Sequence, residues 1–170
     1  MVDYNPNLAG MKYEEVLNVD VPPYRTTALR TPVRIRYLPG APRMEKIDKG
    51  NWIDCYVYED YDLKAGDFAL LNLGFAMEIP HGYEAILAPR SSTFKRYGVI
   101  QTNSFGVIDQ SYAGNDDVWM MPVYATRDVH IEHGSRLCQF RLQYSQPSFE
   151  FQEVEDLGNE QRSGFGSTGV

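Results

Sequence analysis

The chain has only two cysteines in 170 residues, Cys55 and Cys138, and neither belongs to a metal-ligand spacing. The three histidines, His81, His130 and His133, do not cluster with them, so a zinc site is excluded and two buried free thiols in a reducing compartment are expected. Positive charge is also scarce: 16 Lys and Arg against 23 Asp and Glu leave a net charge of −7. A field of that sign opposes nucleic acid and anionic membrane surfaces, so neither is an expected partner, and any anionic ligand must be held by local arginines. The N-terminus lacks a basic-then-apolar signal pattern, and no apolar run approaches membrane length. A soluble, cytoplasmic protein is the expectation. After residue 30 no helical pattern exceeds two turns, and no internal repeat or low-complexity segment appears.

What the chain does have is short apolar alternation cut by turn residues. Val33, Ile35 and Tyr37 alternate with Arg34 and Arg36, the period of a strand. Further strands are expected at Ile53–Tyr58, Phe68–Asn72, Phe75–Ile79, Tyr83–Ala88, Val118–Ala125, His130–Ile131 and Leu137–Tyr144. Turns are expected at Leu63-Lys-Ala-Gly-Asp67, Pro80-His-Gly82 and Glu132-His-Gly-Ser135, and one short helix at Ser92–Tyr97. The length fits one domain with a real core, and the spacing is that of an all-β sandwich or barrel. Residues 1–30, with a short helical candidate at Tyr13–Leu17 and a Pro22-Pro23 break, read as an N-terminal extension. Residues 31–155 read as the β domain and 156–170 as a mobile arm.

Four stretches carry chemistry. Pro89-Arg-Ser-Ser-Thr93 follows a strand with a guanidinium fork and three hydroxyls, suited to phosphate oxygens but also to a plain helix cap. Asp109 follows Val107 and Ile108, so its carboxylate is either a turn-former that accepts its own backbone N–H groups or a positioned base. Asn103 offers a donor and an acceptor on the opposite arm of what reads as the same hairpin. In Gly134-Ser-Arg136-Leu-Cys-Gln139-Phe140, strict alternation puts Arg136 and Gln139 on opposite faces. The fourth stretch is Arg162-Ser-Gly-Phe-Gly-Ser-Thr-Gly169, too glycine-rich to hold itself rigid. It has donors for an anion in Arg162, Ser167, Thr168 and its backbone, and a ring for a flat base in Phe165.

Together with Asn51-Trp-Ile-Asp54-Cys55, these stretches stand in the order of the five motifs of the trimeric dUTPase family, which the chain resembles over about residues 32–169. The resemblance implies a jelly-roll-like subunit in a homotrimer, with three active sites at subunit interfaces. It implies hydrolysis of dUTP to dUMP and pyrophosphate with Mg2+, which keeps uracil out of DNA and supplies dUMP for dTMP synthesis. Carried over by motif, Asp109 resembles the carboxylate that activates water for attack on the α-phosphorus. Tyr112 resembles the ring beneath the deoxyribose, while Asn103, Gly106 and Ile108 resemble the uracil-reading arm. Arg90, Ser91, Ser92 and Gln139 resemble phosphate ligands, and Asp54 an outer-shell partner of Mg2+. Phe165 resembles the ring that closes over uracil, with Gly166, Ser167 and Thr168 near the γ-phosphate and Arg162 the arm's cation. The first motif departs from the usual Ala-Gly-x-Asp-Leu at Asn51, Trp52 and Cys55. In the last, Arg162 lies three residues before Phe165, where the family spaces its arginine by five.

A site that satisfies uracil leaves a buried group unpaired with cytosine, at about 1–3 kcal/mol per mismatch. The related dCTP deaminases carry a glutamate about ten residues after the third-motif aspartate; here positions 119 and 120 are Trp and Met. A non-catalytic trimeric sensor of dUTP is a second alternative, which would not require a water-activating carboxylate.

Overall fold

The computed structural model describes residues 31–45 and 50–161, and its compact unit begins at Val33. Alternating strand formers, interrupted every few residues by Gly, Pro or Asp turns, fold into eleven short strands and one five-residue helix among the described residues. Strands β1 (Arg34–Tyr37) and β5 (Phe75–Glu78) form one antiparallel pair, and β3 (Tyr61–Leu63) and β10 (Val129–Ile131) another. A four-stranded sheet runs in the order β2 (Ile53–Tyr56), β11 (Arg136–Tyr144), β6 (Tyr83–Pro89), β8 (Gly106–Ile108). A three-stranded sheet runs β4 (Phe68–Asn72), β9 (Met120–Ala125), β7 (Val99–Gln101). The all-β, jelly-roll-like expectation holds.

Between these sheets lies one apolar core. Trp119 packs against Phe75 and Phe140 at ring-centroid distances of 5.0 and 5.2 Å, with Leu71, Leu73, Leu87, Met121 and Leu137 around them. Burying each such side chain contributes roughly 1.5–3 kcal/mol. Cys55 and Cys138 face each other across β2 and β11 as buried free thiols, and burial pushes the Cys55 thiol up. No described helix is long and apolar enough to cross a membrane.

Three details differ from the sequence expectations. Strands β3 and β7 carry no long alternation and were not expected; each has three residues and takes its identity from its partner strand. Asn103 does not sit on one arm of a hairpin. β7 pairs with β9 and β8 with β6, so residues 102–105 form a loop passing from one sheet to the other. That loop is tight, with Ser104 at φ 60° and the Phe105 N–H donating to the Asn103 carbonyl at 2.6 Å. Finally, the expected alternation in β11 breaks at a β-bulge between Arg136 and Cys138, which leaves Leu137 and Cys138 buried in succession. The extra residue flips the phase, bringing Arg136 to the same face as Gln139.

The outward face of the three-stranded sheet is not polar. Phe68 opposes Tyr124, Leu70 opposes Pro122, and Ile100 opposes Tyr124 from the other side, with Met120 beyond them. Phe68, Leu70, Ile100, Met120 and Tyr124 are 42–61% exposed. The apolar stripe is continuous across three strands, unlike the scattered apolar residues of an ordinary surface.

Candidate active site

Where the four-stranded sheet ends beside β9, a cavity of about 470 Å³ opens. Its floor is apolar, made of Leu70, Leu87, Ile108, Trp119 and Met120, and its rim carries Asn103, Gly106, Asp109, Ser111 and Tyr112. Strand pairing places them: Ile108 lies opposite Ala85 and Gly106 opposite Leu87, so the residues flanking β8 emerge at the cavity mouth. The backbones approach closely at Gly106, where a Cβ would come to 3.3 Å from the Leu87 Cβ, a tight contact that a larger residue could make only if Leu87 gave way.

Asp109 follows directly on β8. Its Oδ1 accepts from the Ser111 hydroxyl at 2.6 Å and the Ser111 N–H at 2.7 Å, while Oδ2 has no hydrogen-bond partner among the described residues. The turn-forming reading of this aspartate holds, with Oδ1 accepting both Ser111 bonds. The Ser111 hydroxyl, helped by the backbone N–H, holds the Asp109 carboxyl below the usual carboxylate range and keeps it ionised. Tyr112 donates its O–H to the Val118 carbonyl at 3.2 Å, which fixes the ring as part of the rim. Gln110 reaches back toward the Tyr83 carbonyl at 3.3 Å, tying the Asp109 turn to the start of β6.

The second group of expected residues gathers elsewhere. Asp54 of β2 lies opposite Gln139 of β11, which in turn lies opposite Ala88 of β6. The Asp54 carboxylate, itself mostly buried, receives the Arg90 Nε at 2.9 Å on one oxygen and an Arg136 guanidinium nitrogen at 3.2 Å on the other. Outer-shell contact with Mg2+ was the expected role of Asp54. In the structure both its oxygens face guanidinium groups, and the carboxylate holds the two cations side by side. Arg136, read from sequence as lying on the face opposite Gln139, joins this cluster because of the bulge. Among the described residues no three His, Cys, Asp or Glu side chains form a metal cage.

The stretch between β6 and helix α1 (Thr93–Tyr97) is pinned to β11 through one carbonyl: Leu137 accepts from the Arg90 N–H at 2.9 Å and from the buried Thr93 hydroxyl. Ser92 occupies the N-cap position of α1 but makes no side-chain capping bond. Its hydroxyl is not spent on the helix, and Ser91 beside it is exposed. Arg162, Phe165, Gly166, Ser167 and Thr168 lie outside the described residues.

The two groups do not meet within one chain. Cys55, Cys138, Phe140 and Leu87 face the core, so alternation sends Asp54, Gln139 and Ala88 to the reverse side of the sheet. The cavity, bounded by Leu87, Gly106 and Trp119, includes none of Asp54, Arg90, Ser91, Ser92 or Gln139 in its lining. Sequence reading missed Ser111, Gln101 and Arg136. A Ser two residues after Asp is a recognisable turn signal, whereas the other two depend on loop and bulge geometry with no local signature.

The profile of the dUTPase family matches residues 52–169. The chain belongs to the dUTPase family. It is 51% identical over 139 residues to the SPbeta prophage-derived deoxyuridine 5'-triphosphate nucleotidohydrolase of Bacillus subtilis (strain 168), spanning 81% of this chain and 98% of the relative. With the deoxyuridine 5'-triphosphate nucleotidohydrolase of Cutibacterium acnes it shares 36% identity over 115 residues, 65% of this chain and 74% of that protein. Its fold matches the dUTPase of Staphylococcus bacteriophage 80alpha with dUPNHPP at a TM-score of 0.69 and 21% identity, over 83% of this chain and all of that one. The Streptococcus mutans dUTPase matches at 0.61 and 21% identity, over 68% and 98%.

Proposed function

We propose that this protein hydrolyses dUTP to dUMP and pyrophosphate, with Asp109 activating the attacking water. The observation that carries the reading is the Asp109 carboxylate, one oxygen locked by Ser111 and the other open at the mouth of a base-sized cavity. The open oxygen takes a proton from a water placed in line with the α-phosphorus, and the pyrophosphate leaves on the far side. Asn103, Gly106 and Ile108 hold the uracil, and Tyr112 lies under the deoxyribose, where it excludes a 2′-hydroxyl. Arg90, Ser91, Ser92 and Gln139 bind the phosphate oxygens, with Asp54 keeping Arg90 and Arg136 in place. The substrate is the Mg2+ complex of dUTP, the ion carried by the triphosphate oxygens. Arg162, Gly166, Ser167 and Thr168 close on the γ-phosphate, and Phe165 covers the base.

The working unit is a homotrimer. Two observations support it: the cavity and the arginine cluster share no lining residue within one chain, and the outer face of the three-stranded sheet is an uncovered apolar stripe that runs into the cavity floor at Leu70 and Met120. A second copy that covers the stripe brings its arginine cluster to the first copy's cavity. A dCTP deaminase is disfavoured, because the position of its glutamate is taken here by the core residue Trp119 and by Met120.

The decisive experiment measures pyrophosphate release from dUTP, dCTP, dTTP and UTP side by side, with ammonia release monitored for dCTP. Rapid turnover of dUTP alone is expected. Tight dUTP binding without turnover would replace the enzyme by a sensor, and ammonia from dCTP would replace it by a deaminase.

A further inference from the structure

Gln101 closes β7 with its side chain 4% exposed. Its Nε2 donates to the Leu87 carbonyl at 3.2 Å and to Asn103 Oδ1 at 3.0 Å, while its Oε1 is buried without a partner among the described residues. A buried amide with an orphan oxygen is worse for the core than a methionine or leucine of similar size, so stability does not account for it. Orientation does. The Leu87 carbonyl can only accept, so the end of Gln101 that meets it must be the NH2. That same NH2 meets Asn103, whose facing atom must then be its oxygen. The Asn103 NH2 is therefore turned toward the cavity, where it lies 3.8 Å from the place a Cβ on Gly106 would occupy. Without Gln101 the exposed Asn103 amide could present either end.

We propose that Gln101 is a positioning residue for base selection: it fixes Asn103 so that a donor, and never an acceptor, faces the pyrimidine. The inference rests on the dUTP reading above. Uracil and cytosine differ at one exocyclic position, carbonyl in uracil and amino in cytosine. A fixed donor pairs with the carbonyl and opposes the amino group, so the choice between bases is set one residue behind the residue that touches them. Leu87 takes part in both roles, its side chain in the cavity floor and its carbonyl as the acceptor that anchors the chain of orientation.

The test compares kcat/KM for dUTP and dCTP in the full chain, in Gln101→Met, in Asn103→Ala and in the double variant, with thermal unfolding of each. Gln101→Met preserves volume, and it should lower the dUTP-to-dCTP ratio by about tenfold or more, the size of one mis-set hydrogen bond. The loss should lie mainly in KM. In the Asn103→Ala background the same substitution should change the ratio no further. An unchanged ratio in Gln101→Met, or an undiminished fall in the Asn103→Ala background, would overturn the proposal. Should Gln101→Met fail to fold, Asn103→Asp decides: position 103 is exposed, and its second oxygen would face the cavity as an acceptor, so the ratio must fall toward or past unity. A wild-type chain that turns over no dUTP would sink the functional reading instead, an outcome distinct from all of these.

Discussion

The cavity beside β8 and the arginine cluster on β2 and β11 share no lining residue within the chain and follow opposite rules. The cavity is apolar, and each of its few polar groups has one orientation, imposed by a neighbour: Ser111 on Asp109, Gln101 on Asn103, Val118 on Tyr112. The cluster is made of charges that hold one another, with Asp54 gripping Arg90 and Arg136 through separate oxygens. Under the proposed function the first arrangement serves discrimination, because a wrong base would leave a fixed group unpaired. The second, in the same reading, serves neutralisation, because a triphosphate needs positive charge in a set place more than it needs reading.

The largest test removes the reacting group. Asp109→Asn should lower kcat about 10²–10⁴-fold while dUTP still binds, since the amide keeps the shape and loses the base. Isothermal titration with a non-hydrolysable dUTP analogue, beside the turnover assay, checks both parts. Unchanged turnover would strip Asp109 of its role. In the arginine cluster, Arg90→Ala should cost about 10²-fold in kcat/KM, the usual price of one charge-stabilising donor. Its dUTP-to-dCTP ratio should not move, because the cluster does not touch the base. If the ratio collapses, the division of labour between cavity and cluster is wrong.

Those two variants also test the assembly. Mixed after unfolding and refolded together, inactive Asp109→Asn and Arg90→Ala chains should recover about a quarter of wild-type activity, since each site then draws its halves from independent copies. No recovery would place both halves of a site in one chain.

Much of this was legible beforehand. Asp109, Asn103, Tyr112, Arg90 and Gln139 stand out as chemistry-bearing residues beside strands or turns, and alternation alone was enough for the all-β fold. What alternation cannot show is where it fails. The single bulge in β11 moved Arg136 to the other face, and the partner choice of β7 and β8 turned an expected hairpin into a crossing between sheets. The separation of the cavity from the arginine cluster is likewise invisible in sequence, because it depends on which strands become neighbours. Asp54 illustrates the limit: its motif is legible, but its two arginine partners come from residues 36 and 82 positions away in the chain.

A smaller effect comes from within the cavity. Ser111→Ala removes the hydroxyl that does most to hold the Asp109 carboxyl below its ordinary range. A depressed pKa keeps the base ionised down to more acidic pH, so the variant should lose activity at a higher pH as the solution is acidified. The acid limb of kcat/KM against pH should shift upward, with little change above neutrality, and Ser111→Thr should restore it. An acid limb that stays put would show that the turn is held by the backbone N–H alone.

The smallest effect lies outside both halves and shows that pH sensitivity is not confined to the site. His130 meets Asp62 at 2.7 Å across the β3–β10 pair, and that contact, with Asp60 and Glu132 nearby, raises its pKa above the free value of about 6.5. The folded protein thus binds this proton more tightly than the unfolded chain. Its stabilising share is fully present below about pH 6.5 and disappears as pH rises through the higher folded value. Both partners are exposed, so the share is small. His130→Gln should therefore lower Tm slightly at pH 6 and not at pH 8.5, in melts run at both. A deficit that is equal at the two values would mean that His130 contributes packing rather than charge, leaving Asp109 as the titrating group to which acid sensitivity should be traced first.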